Sequence, residues 1–129
     1  MRYLIPFFTI ISLFVLQSCS ESATGIQNDS ATEFQQNMQS NKGLLIDLRT
    51  PEEYVEGHIK GSATINFYDA SFESKLNGLD RNKVLYLYCA SGGRSSKASK
   101  MAHSMEFKEI HNLIGGFYAW EDAGLPVQR

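Results

Sequence analysis

Only two cysteines occur in the 129 residues, Cys19 and Cys89. That count excludes a disulfide-stapled scaffold. The chain has no Cys-x-x-Cys pair and no His/Cys cluster at zinc spacing, so neither a metal nor a cofactor is expected. A large excess of either charge is lacking too. The formal net charge is −2, which speaks against a nucleic-acid partner. No apolar run spans a bilayer comfortably; the longest, Leu4 to Leu16, has the length of a signal-peptide core. What remains, at 43% hydrophobic and 20% charged, is ordinary globular composition for one domain.

The apolar run ends in Leu16-Gln17-Ser18-Cys19. This resembles the lipobox of bacterial lipoproteins, in which the cysteine is lipidated and becomes N-terminal after cleavage. The expected division is a signal peptide over 1–18, a lipidated flexible tether over 19–31 and a folded domain over 32–129. Several acyl chains on one cysteine anchor a protein firmly. Expected localisation is the cell envelope, facing the periplasm. Ser20 does not resemble an inner-membrane retention signal, so the outer membrane is favoured. Losing Arg2 with the leader takes the formal charge from −2 to −3. Cys89 is then the one free thiol in an oxidising compartment, where an idle cysteine is a liability.

The chain is organised around Val84 to Ser96. Val84 to Tyr88 is short, apolar and rich in aromatics, a buried strand. Cys89 to Arg94 forms a tight loop with two glycines. The helix after it is predicted to open with Ser95 as N-cap. Gly92 and Gly93 allow several N–H groups to turn inward as an anion nest, and the helix start adds partial positive charge. Both favour a thiolate at Cys89, a nucleophilic sulfur. A lone cysteine at a strand end is more often inert packing, but inert packing has no use for a nest.

Around this centre strands and helices alternate. Residues 32–40 form an amphipathic helix, with Thr32 and Gln35 as a capping box. Leu44 to Leu48 is a buried strand carrying Asp47, whose carboxylate needs Arg49 or a backbone donor. Thr50-Pro51-Glu52-Glu53 starts a helix that Gly57 ends. Ala63 to Phe67 is a strand, 69–79 a helix and Glu109 to Leu113 a strand. Gly115-Gly116 precedes a C-terminal helix in which Trp120 packs. Met101 and Met105 are core positions, and His103 lies at the surface. The fold class is therefore α/β, a mostly parallel central sheet with helices on both faces. Sites in such sheets form at the carboxyl ends of strands, where Cys89, Arg49 and Gly115 all fall.

Four stretches, 45–54, 56–62, 87–95 and 113–120, together resemble the single-domain rhodaneses (sulfurtransferases), in the family's order. The resemblance implies the three-layer rhodanese fold over about 32–127 and a persulfide mechanism. Cys89 takes sulfane sulfur from a small donor such as thiosulfate or polysulfide. It then passes the sulfur to cyanide or a thiol acceptor, for which a thioredoxin-like protein is one candidate. Ala90, Ser91, Gly92, Gly93, Arg94 and Ser95 would supply loop donors. Arg94 would either attract an anionic donor or tie loop carbonyls, the second being favoured. Asp47, Arg49 and His58 would support the site. One position departs from the pattern: many family members have a basic residue after the cysteine, and here it is Ala90, which weakens thiosulfate as donor.

Two other classes stay in view. Dual-specificity phosphatases share this fold but need a loop one residue longer, and a histidine before the cysteine where Tyr88 stands here. A non-catalytic or redox-sensing binding module is the alternative to sulfur transfer. A monomer is expected.

Overall fold

The structure is a computed structural model and describes residues 25–129. The expected signal peptide, Cys19 and the first part of the tether lie outside the described residues. Five strands form one sheet: β1 (Gly25–Asp29), β2 (Gly43–Asp47), β3 (Ala63–Thr64), β4 (Val84–Tyr88) and β5 (Glu109–Leu113). All pair in parallel, in the order β1-β5-β4-β2-β3. The helices are α1 (Ala31–Ser40), α2 (Pro51–Glu56), α3 (Phe72–Asn77), α4 (Gly93–Ser104) and α5 (Gly116–Asp122).

The central strand β4 shows why the sheet is covered twice. Its five residues are all buried. Leu85 and Leu87 face one side with Phe72 and Leu76 of α3 and Ala98 and Ala102 of α4. Val84, Tyr86 and Tyr88 face the other with Phe34 of α1 and Phe117 and Trp120 of α5. Period-two alternation thus feeds two cores, as a doubly covered parallel sheet requires. Each fully buried leucine is worth about 1.5–3 kcal/mol of transfer free energy. Met101 and Met105 pack at the margin of the first core.

Strand order also fixes the place of chemistry. From β2 the chain moves outward to β3, and from the adjacent β4 it moves the other way to β5. The crevice between β2 and β4 is therefore the point where connections diverge, the usual ligand site of an open parallel sheet. Cys89 follows β4, and Arg49 follows β2.

The structure corrects several expectations of detail. Part of the expected tether is β1, which pairs with β5 from Gly25↔Glu109 to Asp29↔Leu113. The short polar stretch Gly25 to Asp29 has no hydrophobic signal, because β1 is an edge strand that buries only Asp29. Ser30, not Thr32, caps α1, in a capping box with Glu33. The turn before α3 holds 69–71, so that helix is shorter than predicted. The strand from Ala63 pairs over two residues only. Thr50 caps α2 with Pro51 in its first turn, as the sequence predicts. No helix among the described residues is long and apolar enough to cross a membrane.

Candidate active site

Cys89 leaves β4 with 1% of its surface exposed. Its Sγ accepts two backbone hydrogen bonds, from Gly92 N at 3.1 Å and Ser95 N at 3.4 Å. The thiol donates to Ser95 Oγ at 3.5 Å. These contacts explain how α4 begins. Its N-cap is Gly92, in the left-handed region at φ 103°, and no side chain caps the helix. Ser95, predicted as N-cap, sits in the third helical position instead. The amide at that position ordinarily bonds an N-cap oxygen. Here the cysteine sulfur takes it, so the nucleophile is the cap of α4. The sulfur lies where the helix macrodipole is positive and where first-turn donors have no intrahelical acceptor. Among the described residues, the amides of Gly93 and Arg94 donate to no protein acceptor. Two filled donors and two free ones occupy one turn.

The carbonyl side of the loop is held by α5. Phe117 N donates to Cys89 O at 2.8 Å and Tyr118 N to Ala90 O at 3.1 Å. Such close approach depends on Gly116, with φ 60°. A Cβ there would lie 2.5 Å from Cys89 O and 2.6 Å from Ala90 C. With its carbonyls engaged by α5, the loop turns its amides toward sulfur. Gly115-Gly116, read from sequence as the lead into a C-terminal helix at the carboxyl end of a strand, belongs to the loop's support.

Asp47 and Arg49 are brought together below the loop. Asp47 is fully buried, and Arg49 is 4% exposed. Asp47 Oδ1 accepts from Arg49 N at 2.9 Å and Nε at 3.0 Å, and Oδ2 accepts from Nη2 at 2.8 Å. Both partners foreseen for the carboxylate are thus supplied by one residue. Arg49 Nη2 also donates to Gly57 O at 2.7 Å, and its guanidinium lies 4.1 Å from the Phe117 ring centre. Burial works against the Arg49 charge, but the bonds and charge of Asp47 prevail and raise its pKa. Tyr88 joins this cluster: its hydroxyl donates to Asp47 Oδ2 at 2.7 Å and accepts from Ile59 N at 3.2 Å. Burial first, then the Asp47 charge, pushes that phenol well above its ordinary range. The sequence showed Tyr88 as the end of a buried strand and as the residue in a histidine's place, not as a partner of Asp47. Its alternation onto the Asp47 side was the available signal.

Arg94 does not reach the loop carbonyls. Its guanidinium forms a two-pronged pair with Glu53 of α2, 3.0 Å in both arms, and lies 5.3 Å from the Tyr68 ring centre. Each group holds the other charged. The Arg94 bond holds Glu53 below the usual carboxylate range, and Glu53 raises Arg94. Glu53 was legible only as a first-turn acid, since its partner is 41 positions away. His58 makes no hydrogen bond to the sulfur. It stacks on Tyr54 at 3.8 Å, with Nδ1 3.0 Å from Tyr54 O, and its backbone bridges to Gln128. It closes the end of α2 beside Gly57. Ser91 is exposed at the loop tip, and Ala90 lines a cleft of about 250 Å³ with Arg49, Glu53, Glu56 and Tyr118. Cys89 does not line that cleft; it lies under the loop beside it. Among the described residues no His/Cys/Asp/Glu cluster could hold a metal.

Comparison with known proteins agrees with this arrangement. The Rhodanese-like domain family matches residues 30–123. The chain is 33% identical over 102 residues to the putative sulfur carrier protein YrkF of Bacillus subtilis, covering 78% of this chain and 54% of that protein's length. It is 30% identical over 84 residues to a sulfurtransferase of Allochromatium vinosum, covering 65% and 77% respectively. A crystal structure of a rhodanese-related protein from Thermoplasma volcanium superposes with a TM-score of 0.70 at 25% identity, covering 79% of this chain and 97% of that one. The match runs from the cap of α1 through α5 and takes in the cysteine loop and both elements that hold it; the chain belongs to the rhodanese-like domain family.

Proposed function

We propose that the protein is a sulfurtransferase in which Cys89 carries a sulfane sulfur as a persulfide. The carrying observation is the donor set on Sγ: Gly92 N and Ser95 N engaged, Gly93 N and Arg94 N free in the same turn. Cys89 thiolate attacks the sulfane sulfur of a donor. The new S–S bond forms as the donor's S–S bond breaks, and the donor leaves with that electron pair. The free amides then stabilise negative charge on the outer sulfur. An acceptor nucleophile attacks that sulfur, and Cys89 departs as thiolate into the same amides. A thiol acceptor, such as a thioredoxin-like protein, or cyanide completes the cycle.

The donor class follows from charge. Arg94 is neutralised by Glu53, and Ala90 offers none, so neither loop position presents an unpaired cation to a small dianion. Thiosulfate and inorganic polysulfide are both dianions and gain nothing there, so a sulfane donor of lower charge, such as the persulfide of a thiol, is favoured. Incubation with polysulfide and cyanide tests the reading. Thiocyanate should accumulate over many turnovers with the native protein and only at the background rate with Cys89→Ser. Equal rates would end it.

The setting proposed for this activity is the cell envelope, with Cys19 lipidated and the domain facing the periplasm. Leu16-Gln17-Ser18-Cys19 after an apolar run supports it. Radiolabelled palmitate incorporated by the native chain and not by Cys19→Ser is the expected result.

A further inference from the structure

The described residues expose four large hydrophobic side chains: Val55 at 72%, Tyr68 at 68%, Ile114 at 53% and Tyr118 at 59%. They are not scattered. Val55 is on the helix after β2, Tyr68 follows β3, Ile114 follows β5 directly, and Tyr118 is in the first turns of α5. All strands run parallel, so these segments leave the sheet at one edge, the edge where Cys89 leaves β4. Two have direct ties to the cysteine loop. Arg94 lies against Tyr68, and Tyr118 N bonds Ala90 O while Tyr118 lines the cleft beside it. Isolated exposed apolar residues are normal, but gathering all of them on one rim marks a contact surface.

Charge on the same rim selects the occupant. Helix α2 carries Glu52, Glu53 and Glu56 and no base. Glu53 is matched by Arg94, and Glu121 across the cleft by Arg129. Glu52 and Glu56 form no ion pair among the described residues. On α2 the uncompensated charge beside the mouth is therefore acidic. It repels anionic lipid, small anions and an identical rim on a second copy alike. It complements a protein that surrounds a cysteine with basic and apolar residues.

We propose that the rim formed by Val55, Tyr68, Ile114 and Tyr118, with Glu52 and Glu56, docks a protein thiol set in a basic, apolar surface, which takes the Cys89 sulfur. This rests on the persulfide reading above. The partner's thiolate attacks the outer sulfur of Cys89–S–SH. Its electron pair makes the new S–S bond, the old bond breaks with its pair going to Cys89 Sγ, and the outer sulfur leaves with its proton on the partner. No external oxidant or reductant is consumed.

The test uses two synthetic peptides, each with one cysteine beside one tryptophan, flanked by lysines in one and glutamates in the other. The protein is first loaded with polysulfide, and loading is read by intact mass before any peptide is added. Loss of the sulfur is then timed, and each rate is divided by that peptide's rate toward a small disulfide, which removes intrinsic thiol reactivity. The lysine peptide should be faster by about tenfold at low salt, and the preference should collapse near ~1 M salt, where the Debye length is about 3 Å. Glu52→Lys with Glu56→Lys should remove the preference. Val55→Ser should slow both peptides while leaving transfer to cyanide unchanged. Equal normalised rates, or variants that slow cyanide as much as peptide, overturn the docking surface. So does a dimer in sedimentation that Val55→Ser dissolves, since a second copy would then own the rim. Failure to load appears at the mass step and removes the persulfide reading, and this inference with it.

Discussion

Among the described residues the protein buries two ionic clusters, and they serve different ends. The first is Asp47–Arg49 with Tyr88, on the central strands β2 and β4 and one residue from Cys89. The second is on the edge strand β1 and its neighbour β5. There His111 Nδ1 lies 2.6 Å from Asp29 Oδ2 and Nε2 lies 2.9 Å from Glu109 Oε1. Asn37 of α1 donates to Asp29 at 2.9 Å, and Tyr86 stacks on His111 at 4.8 Å. Burial, then the charges of Glu109 and Asp29, pushes the Tyr86 phenol up to about 12. Both clusters place a carboxylate at the carboxyl end of a strand, and both recruit a tyrosine of β4. The first ties the β2 exit to Gly57 and stands under the cysteine loop. The second pins the edge strand and α1 to the sheet and has no contact with that loop. Buried charge alone therefore does not mark a functional site; its connection to the reacting group does.

The sharpest way to break this contrast is Asp47→Ala. It leaves Arg49 buried and uncompensated, a loss of about 3–5 kcal/mol in stability. It also frees the Tyr88 hydroxyl and the β2 exit, so sulfur transfer should fall well beyond the folded fraction lost. Urea unfolding followed by turnover at a concentration where the variant stays folded measures both. Transfer intact in the folded variant would reduce this cluster to a structural one.

Asp29→Asn should cost less, about 1–3 kcal/mol, because it weakens hydrogen bonds to His111 and Asn37 without stranding a guanidinium. Transfer per folded molecule should stay within about twofold of native, since nothing links Asp29 to the amides on Sγ. A large drop in turnover would show that the two clusters are coupled through β5 and β4.

The smallest effect belongs to Arg94–Glu53, a partly exposed pair worth under about 1 kcal/mol. Glu53 has a depressed pKa in the folded protein relative to 4.5 when unfolded. Its support is thus present above 4.5 and is lost as pH falls through the lower folded value. Acid titration of stability should show this loss in the native protein and its absence in Glu53→Gln. Identical acid profiles would remove the pair from the account.

The two clusters also show how far sequence carries. Asp47 and Arg49 are two residues apart, inside and just after an apolar run, so an out-of-place carboxylate and its neighbour were visible together. Asp29 and His111 are 82 positions apart, and only the pairing of β1 with β5 joins them. No local period announces β1, and without it His111 looks like any polar residue in a strand. The same limit governs the site. Cys89, the glycine loop and the edge of the sheet where they lie were legible, because strand, loop and helix start follow one another in the chain. The Glu53 partner of Arg94 and the α5 clamp at Gly116 were not, because both depend on which connections return to that edge. Ser95 shows a subtler failure: its type suits an N-cap, but the sulfur of Cys89 already fills that role.

The most direct test of the central claim is intact mass of the reduced protein before and after polysulfide. A gain of one sulfur atom, absent in Cys89→Ser and reversed by cyanide, is the expected result. No gain, or a gain of oxygen that cyanide leaves in place, would contradict the claim and make Cys89 an oxidation site rather than a carrier of sulfur.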